Sequence, residues 1–139
     1  MNRDDFQKLA NLRIKESRVL LDNGCFEAAY YLAGYAVECA LKACIAKQTK
    51  RYDFPPDVSE VRSIYTHDLT KLLEPAGLMA IHKAETASNI NFKNNWTIIK
   101  DWSEQSRYDH SISVVKARDL YDAIVARKDG VLTWLRKYW

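Results

Sequence analysis

The chain has 139 residues and a formal net charge of +3, with 47% hydrophobic and 28% charged residues. This length suits one compact domain, so we expect a single domain over residues 1–139. The small charge excludes a uniformly basic nucleic-acid coat. With only four glycines and three prolines, the composition favours long helices over many short strands.

The sequence also indicates where in the cell the protein lies and whether its cysteines form disulfides. Its polar start, from Met1 to Asp5, lacks the apolar core of a signal peptide. No apolar run reaches the roughly 18 residues that a membrane span needs. Its three cysteines are an odd number without the spacing of a disulfide framework. We therefore expect a cytoplasmic protein with structural cysteines.

Two long helices are predicted at the start of the chain. Apolar residues at helical spacing predict the first over about residues 4–22, and Asn23 and Gly24 should end it. The second, over about residues 26–47, is apolar around most of its circumference, which predicts the buried axis of the fold. Its Gly34 costs about 1 kcal/mol relative to alanine inside a helix, which indicates a packing reason such as a tight crossing.

The middle of the chain is predicted to be irregular at first. Residues 48–66 are a polar connection that contains Pro55 and Pro56. A short helix should follow over residues 68–74, with Thr66 as a candidate N-cap. Its three leucines should point inward, and the Pro-Ala-Gly sequence after it should end it.

Three further helices are predicted in the second half. One spans about residues 78–87, and another, near residues 92–102, should anchor the bundle through two tryptophans and two isoleucines. Residues 103–110 are expected to form a turn or loop. The last helix should start near Ser113, with a break or kink at Asp129 and Gly130. The predicted fold class is therefore all-α.

The second helix resembles the signature of the HEPN family. In that signature an Ala-Tyr-Tyr-Leu-Ala-Gly-Tyr-like run leads into Val-Glu-Cys-Ala-Leu-Lys-Ala, and residues 28–43 carry it nearly unbroken. The His-Asp-Leu-x-x-Leu-Leu segment that begins at His67 is also similar, as are the Arg107-Tyr108 pair and the amphipathic last helix. The resemblance covers nearly the whole chain.

The resemblance implies an up-and-down antiparallel bundle of four to five helices, usually paired into homodimers. Many members lie in prokaryotic toxin–antitoxin or defence loci beside a minimal nucleotidyltransferase. Toxin members are metal-independent ribonucleases with an Arg-x(4–6)-His motif late in the chain, whereas others lack the motif and bind nucleotides or act as partners. In this sequence the spacing between the late Arg107 and His110 is too short for that motif. Arg62 and His67 have a spacing that matches the motif, but they lie early in the chain.

Two pairs of residues are candidates for catalysis. Arg62 and His67 form the first pair: the histidine would move a proton, and the arginine would stabilise transition-state charge. The alternative is that His67 helps to begin a helix and Arg62 is a solvated loop residue. Arg107 and His110 form a second polar cluster, which is either a rearranged active site or a helix-capping loop.

Other residues are candidates for binding. Glu38 lies in the most apolar helix and needs a partner, for which Arg107 is the expected one. This pair either fixes helix register or lines a cleft that faces a nucleotide or RNA. Tyr31 and Tyr35 on the second helix either stack on bases or pack in the core or an interface. Tyr108, which belongs to the polar cluster of Arg107 and His110, is a further candidate for binding.

Three functional hypotheses follow. The preferred one is a homodimeric partner protein that binds nucleotides, RNA or a nucleotidyltransferase without catalysis. The alternatives are a metal-independent ribonuclease toxin and a purely structural dimerisation module. The sequence has no phosphate-binding glycine loop and no metal-ligand motif, so no metal and no cofactor are expected.

Overall fold

The computed structural model describes residues 1–48 and 62–139, and all of the regular secondary structure in these ranges is helical. Five α-helices have ten or more residues. For the described part of the chain, the prediction of an all-α bundle of four to five helices is therefore confirmed. The elements in chain order are α1 (Arg3–Asp22), α2 (Phe26–Gln48), the 3-10 helix η1 (Lys71–Leu73), α3 (Met79–Ser88), α4 (Ile90–Lys100), the 3-10 helix η2 (Glu104–Tyr108), α5 (Val114–Val125) and α6 (Val131–Leu135).

Helices α1 and α2 form an antiparallel hairpin. At the start of α1, the Asn2 side chain accepts a hydrogen bond from the Asp5 backbone N–H, and the Asp5 side chain accepts one from Asn2 in return. Gly24, at φ +76°, supplies the left-handed conformation that ends the helix, as predicted. The buried Ser17 hydroxyl then donates to the Ala29 carbonyl oxygen at 2.8 Å, which ties the two helices together near the turn.

Helix α2 is the buried axis that its composition predicts. More than half of its 23 residues are buried, and it contacts α1, α5, α6, η1 and η2. Gly34 does have a packing reason, because a Cβ at this position would overlap the indole ring of Trp102. The neighbour is a side chain at the end of α4 rather than the backbone of a crossing helix.

The segment around residues 68–74 differs from its prediction. Its regular part is only the 3-10 turn η1, and the Asp68 side chain accepts hydrogen bonds from the backbone N–H groups of Thr70 and Lys71. The Asp68 side chain therefore binds the backbone where this turn begins, and the N-cap position itself is Thr70. The predicted cap, Thr66, accepts only from the Asp68 N–H. The inward leucines are confirmed, since Leu69, Leu72 and Leu73 are all buried. Most of the polar connection, residues 49–61, lies outside the described residues.

The later elements follow the predicted order with shifted ends. In and after α4, Trp96, Ile99 and Trp102 are buried, but Ile98 is 41% exposed because it lies on the opposite side of the helix. The predicted loop at residues 103–110 contains η2. The break in the last helix begins after Val125, earlier than predicted.

Candidate functional site

One face of α2 carries a row of polar and aromatic side chains, which we call the α2 stripe: Tyr31, Tyr35, Glu38 and Lys42. Steps of four, three and four residues place one member on each helical turn. Part of the second half of the chain lies against this face, because η2 contacts α2 and Trp102 packs over Gly34.

The N-terminal part of the stripe forms, with Trp102, a cluster of three aromatic rings that we call the aromatic platform: Tyr31, Tyr35 and Trp102. The rings of Tyr31 and Tyr35 are stacked with centroids 6.0 Å apart and an interplanar angle of 3°. The Trp102 ring lies 6.1 Å from that of Tyr31. Both tyrosines are half-buried, so part of each ring is open to solvent. Burial raises the pKa of Tyr35 to about 12, so its hydroxyl stays protonated well above the pH at which an ordinary tyrosine ionises.

A cation borders this platform. The guanidinium carbon of Arg107 lies 4.9 Å from the centroid of the Tyr108 ring, which is within cation–π distance. Interactions with Tyr108 and then with Tyr31 raise the pKa of Arg107 further above its usual value. Both Arg107 and Tyr108 are exposed. The site therefore presents a permanent positive charge and an accessible ring side by side.

Glu38 lies at the floor of the site and is 1% exposed. Its Oε1 accepts hydrogen bonds from Lys42 Nζ at 2.8 Å and from His67 Nδ1 at 2.9 Å. Its Oε2 has no hydrogen-bond partner within the described residues. The prediction that Glu38 pairs with Arg107 is therefore wrong: among the described residues, the partners of Glu38 are Lys42 and His67. Lys42, one turn along α2, supplies the compensating charge, and Arg107 lies against Tyr108 instead.

His67 connects this floor to η2. Its side chain is 48% exposed, so one edge of the ring contacts Glu38 while much of the rest faces solvent. The pKa of Glu104 is lowered chiefly by a hydrogen bond from its own backbone N–H, with a smaller contribution from His67. His67 is therefore within electrostatic range of the first residue of η2, whereas its hydrogen bond is to α2.

The remaining catalytic candidates lie outside this cluster. Arg62 is exposed, and across the described ranges no side-chain hydrogen bond or ion pair joins it to His67 or to any other residue. His110 is also exposed, without a hydrogen bond to Arg107 in the same ranges. The structure thus joins Glu38 to His67 and groups Arg107 with Tyr31 and Tyr108, but it adds neither Arg62 nor His110.

Sequence reasoning missed three members of this site. Lys42 has a readable signal, because it lies four residues after a buried glutamate, the spacing of a helical ion pair. Trp102 was predicted as a core anchor but not as part of the platform. Glu104 carries no local signal, since only the chain fold brings η2 to His67.

The fold and this site together define a class of protein: an α-helical bundle built around one buried helix, with a polar and aromatic face. A family model described as HEPN domain matches residues 5–138, so the chain belongs to the HEPN family. Comparisons with curated proteins and with solved structures give no match. Membership confirms the resemblance and supports a nucleotide- or RNA-related function in general.

Two further findings concern the described ranges alone. No group of three or more histidine, cysteine, aspartate or glutamate side chains there could hold a metal ion. None of the helices described is both long enough and apolar enough to pass through a membrane.

Proposed function

We propose that the protein is a homodimeric HEPN component that binds a nucleotide or RNA at the α2 stripe and does not cleave it. It would act with a minimal nucleotidyltransferase in a prokaryotic toxin–antitoxin or defence system. The observation that carries the binding proposal is the pair of partly exposed rings of Tyr31 and Tyr35, backed by the buried Trp102, beside the Arg107 cation. Stacking of a base on an aromatic ring contributes about 1–3 kcal/mol, and an arginine fork matches a phosphate.

Binding is tested by fluorescence anisotropy with a short labelled single-stranded RNA and, separately, with ATP. Arg107→Ala should weaken binding of the preferred ligand about tenfold, which corresponds to roughly 1.4 kcal/mol. Arg118→Ala is the matched control, because Arg118 is an exposed arginine on α5 and its loss changes the net charge equally. Equal weakening by both variants would show that only general charge attraction is involved.

The proposal that RNA is not cleaved is supported by the positions of the candidate pairs. Arg107 and His110 are too close in sequence for the family motif, and His110 is exposed outside the cluster. Arg62, in the early match, makes no contact with His67 among the described residues. RNA incubated with the protein in EDTA should therefore remain intact on a denaturing gel, and metal-independent cleavage would overturn this part of the proposal.

The proposed homodimer has a candidate contact surface on α1. Leu12 and Val19 are 47% and 54% exposed and lie two turns apart on one face, and exposed apolar patches of this kind mark interaction surfaces. Light scattering after size exclusion should give a dimer mass for the wild type and a monomer mass for Val19→Glu. Val115→Glu, at a 64% exposed valine of α5, should leave the dimer intact.

The nucleotidyltransferase partner rests on the family alone and is tested separately. A minimal nucleotidyltransferase encoded by the neighbouring gene should copurify with the tagged protein after coexpression. Failure of the two proteins to associate would remove the partner from the proposal without affecting ligand binding.

A ribonuclease remains the second candidate, because the Glu38–His67 hydrogen bond is an arrangement that orients a histidine for proton transfer. In this alternative, His67 would take the proton of a 2′-hydroxyl, as a metal-independent cleavage requires. Expression of the wild type would then be toxic, and His67→Asn would relieve the toxicity and abolish cleavage in EDTA. Relief by His110→Ala instead would point to the later cluster.

A further inference from the structure

Helix α3 is weakly held in this fold. None of its ten residues is buried, and among the described elements its contacts are chiefly with α4. Its large apolar side chains face outward, since Met79 and Ile81 are 45% and 40% exposed. The residues on either side are anchored instead: Leu78 is buried, and the Asn89 amide donates to Asp129 Oδ1 at 2.9 Å. A segment with so few buried contacts between two fixed ends can open locally while the rest of the bundle stays folded.

One side chain of α3 does enter an aromatic cluster. The centroid of the His82 ring lies 4.3 Å from that of Trp96 and 5.8 Å from those of Phe92 and Trp134. All three contacts are edge-to-face, with interplanar angles between 67° and 72°. The three partners belong to α4 and α6 and are all buried. The imidazole therefore covers an aromatic surface that two other helices form.

This enclosure disfavours the protonated form of His82. Its Nε2 atom is buried and has no hydrogen-bond partner among the described residues. A protonated imidazole carries a proton on both nitrogens, so the charged ring would place an N–H group without an acceptor in apolar surroundings. Burial accordingly lowers the pKa of this histidine.

Within the described ranges, no charged side chain offsets this effect. The groups that pack on the imidazole from α4 and α6 are the three aromatic rings, and the titratable residue behind them is Tyr138, whose ring lies 5.2 Å from that of Trp134. On α3 itself, Lys83 is exposed and the Glu85 carboxylate accepts a hydrogen bond from Asn89. Burial is the sole cause of the lowered pKa of the histidine, so these neighbours do not set its charge.

We propose that His82 is a pH-sensitive switch whose protonation releases α3 from the bundle and uncovers the aromatic surface of Phe92, Trp96 and Trp134. Above about pH 6.5, the usual pKa of histidine, the neutral ring fills the space against α4 and α6. Below that value the released helix binds a proton more readily than the docked helix, so acid shifts the equilibrium towards release. This inference is independent of the proposed nucleotide or RNA binding.

Hydrogen exchange followed by mass spectrometry measures the release. The protection factor of the peptide that covers α3 is determined at pH 7.5 and pH 5.5, after correction for the intrinsic effect of pH on exchange. A released histidine with an ordinary pKa, and a docked one that stays neutral, should lower this protection factor about tenfold at pH 5.5. At both pH values α3 should be less protected than α2, because it opens without the rest of the bundle.

Three variants assign the effect to His82. His82→Phe keeps a ring in the space but cannot be protonated, so α3 should be equally protected at the two pH values. His82→Ala removes the ring, so α3 should be poorly protected at both. His110→Asn is the matched control, because it removes an exposed histidine, and it should keep the tenfold change. Circular dichroism confirms that each variant is folded, and a nuclear magnetic resonance titration of the wild-type His82 ring tests the switch even if neither substitution at this position folds.

Equal protection of α3 at the two pH values in the wild type would overturn the inference, and so would a pH dependence that persists in folded His82→Phe. Equal protection of α3 and α2 would also overturn it, because α3 would then open only when the whole bundle unfolds. A measured His82 pKa above 6.5 would contradict the switch as well, since the aromatic rings would then stabilise the imidazolium in the docked state.

Discussion

Gly34→Ala tests the contact that joins the core to the candidate site. A methyl group at Gly34 would overlap Cδ1, Nε1 and Cε2 of the Trp102 indole. Trp102 is 3% exposed and its ring is also stacked with that of Tyr31, one turn before Gly34 on the same helix. The indole therefore has little room to move away, and any shift would disturb the aromatic platform.

Two opposing effects determine how much Gly34→Ala changes the free energy of unfolding. Alanine in place of glycine inside a helix stabilises it by about 1 kcal/mol. Overpacking of a core costs about 1–3 kcal/mol, and a rigid, buried indole puts this position at the upper end. The free energy of unfolding should therefore fall by about 2 kcal/mol. For a chain of this size the melting temperature should fall by roughly 8 °C.

Urea unfolding followed by circular dichroism measures this change. The decisive control is the same substitution in a Trp102→Leu background, where the smaller side chain leaves space for the methyl group. There Gly34→Ala should be stabilising, because only the helix-propensity term remains. Stabilisation by Gly34→Ala in the wild-type background would show that Trp102 does not occupy the space above this glycine.

Three further predictions concern stability and reactivity. Burial lowers the pKa of His82 below its usual 6.5, so the unfolded chain binds its proton more readily. The stabilisation that comes from keeping His82 neutral should be fully present above pH 6.5, and the free energy of unfolding should fall as the pH drops below that value. His82→Phe should reduce this pH dependence, which urea unfolding at a series of pH values measures. Burial also raises the pKa of Cys39 and Cys44 to about 11, so a thiol reagent should label only Cys25 in the native protein at pH 7.5 and all three cysteines in denaturant. Ser17→Ala removes a buried hydrogen bond to the backbone of α2 and should lower the unfolding free energy by about 1 kcal/mol, whereas a change below about 0.3 kcal/mol in the same assay would show that the bond is not stabilising.

Local patterns were sufficient to predict the two long helices of the fold. The apolar circumference of residues 26–47 marks a buried helix wherever its neighbours lie, and Gly24 has a conformation that few other residues adopt. The short elements were less predictable. The turn η1 begins just after Asp68, whose side chain accepts hydrogen bonds from the backbone of a 3-10 turn here as it could at the start of an α-helix. Ile98 and Ile99 are adjacent isoleucines, and only Ile99 continues the helical spacing of the buried Phe92 and Trp96, which is the signal that separates the two.

The sequence identified individual residues of the site, but it did not predict which of them contact one another. The sequence singled out Glu38, Tyr31, Tyr35 and Arg107, and all of them lie on or beside the α2 stripe. Their pairing could not be predicted, because it depends on where the fold places His67 and η2 against α2. Arg107 was expected to pair with Glu38 because its guanidinium matches a carboxylate. Lys42 pairs with Glu38 instead, because it lies one turn away on the same helix.

The central claim is that a nucleotide or RNA binds on the α2 stripe. Nuclear magnetic resonance on 15N-labelled protein tests it most directly, with the wild type titrated with a short single-stranded RNA. Binding at this face predicts that the largest shifts occur at the backbone amides of Tyr31, Tyr35 and Arg107 and at the indole N–H of Trp102. Shifts confined to another surface, such as α1 or α3, or spectra unchanged at saturating RNA, would contradict it.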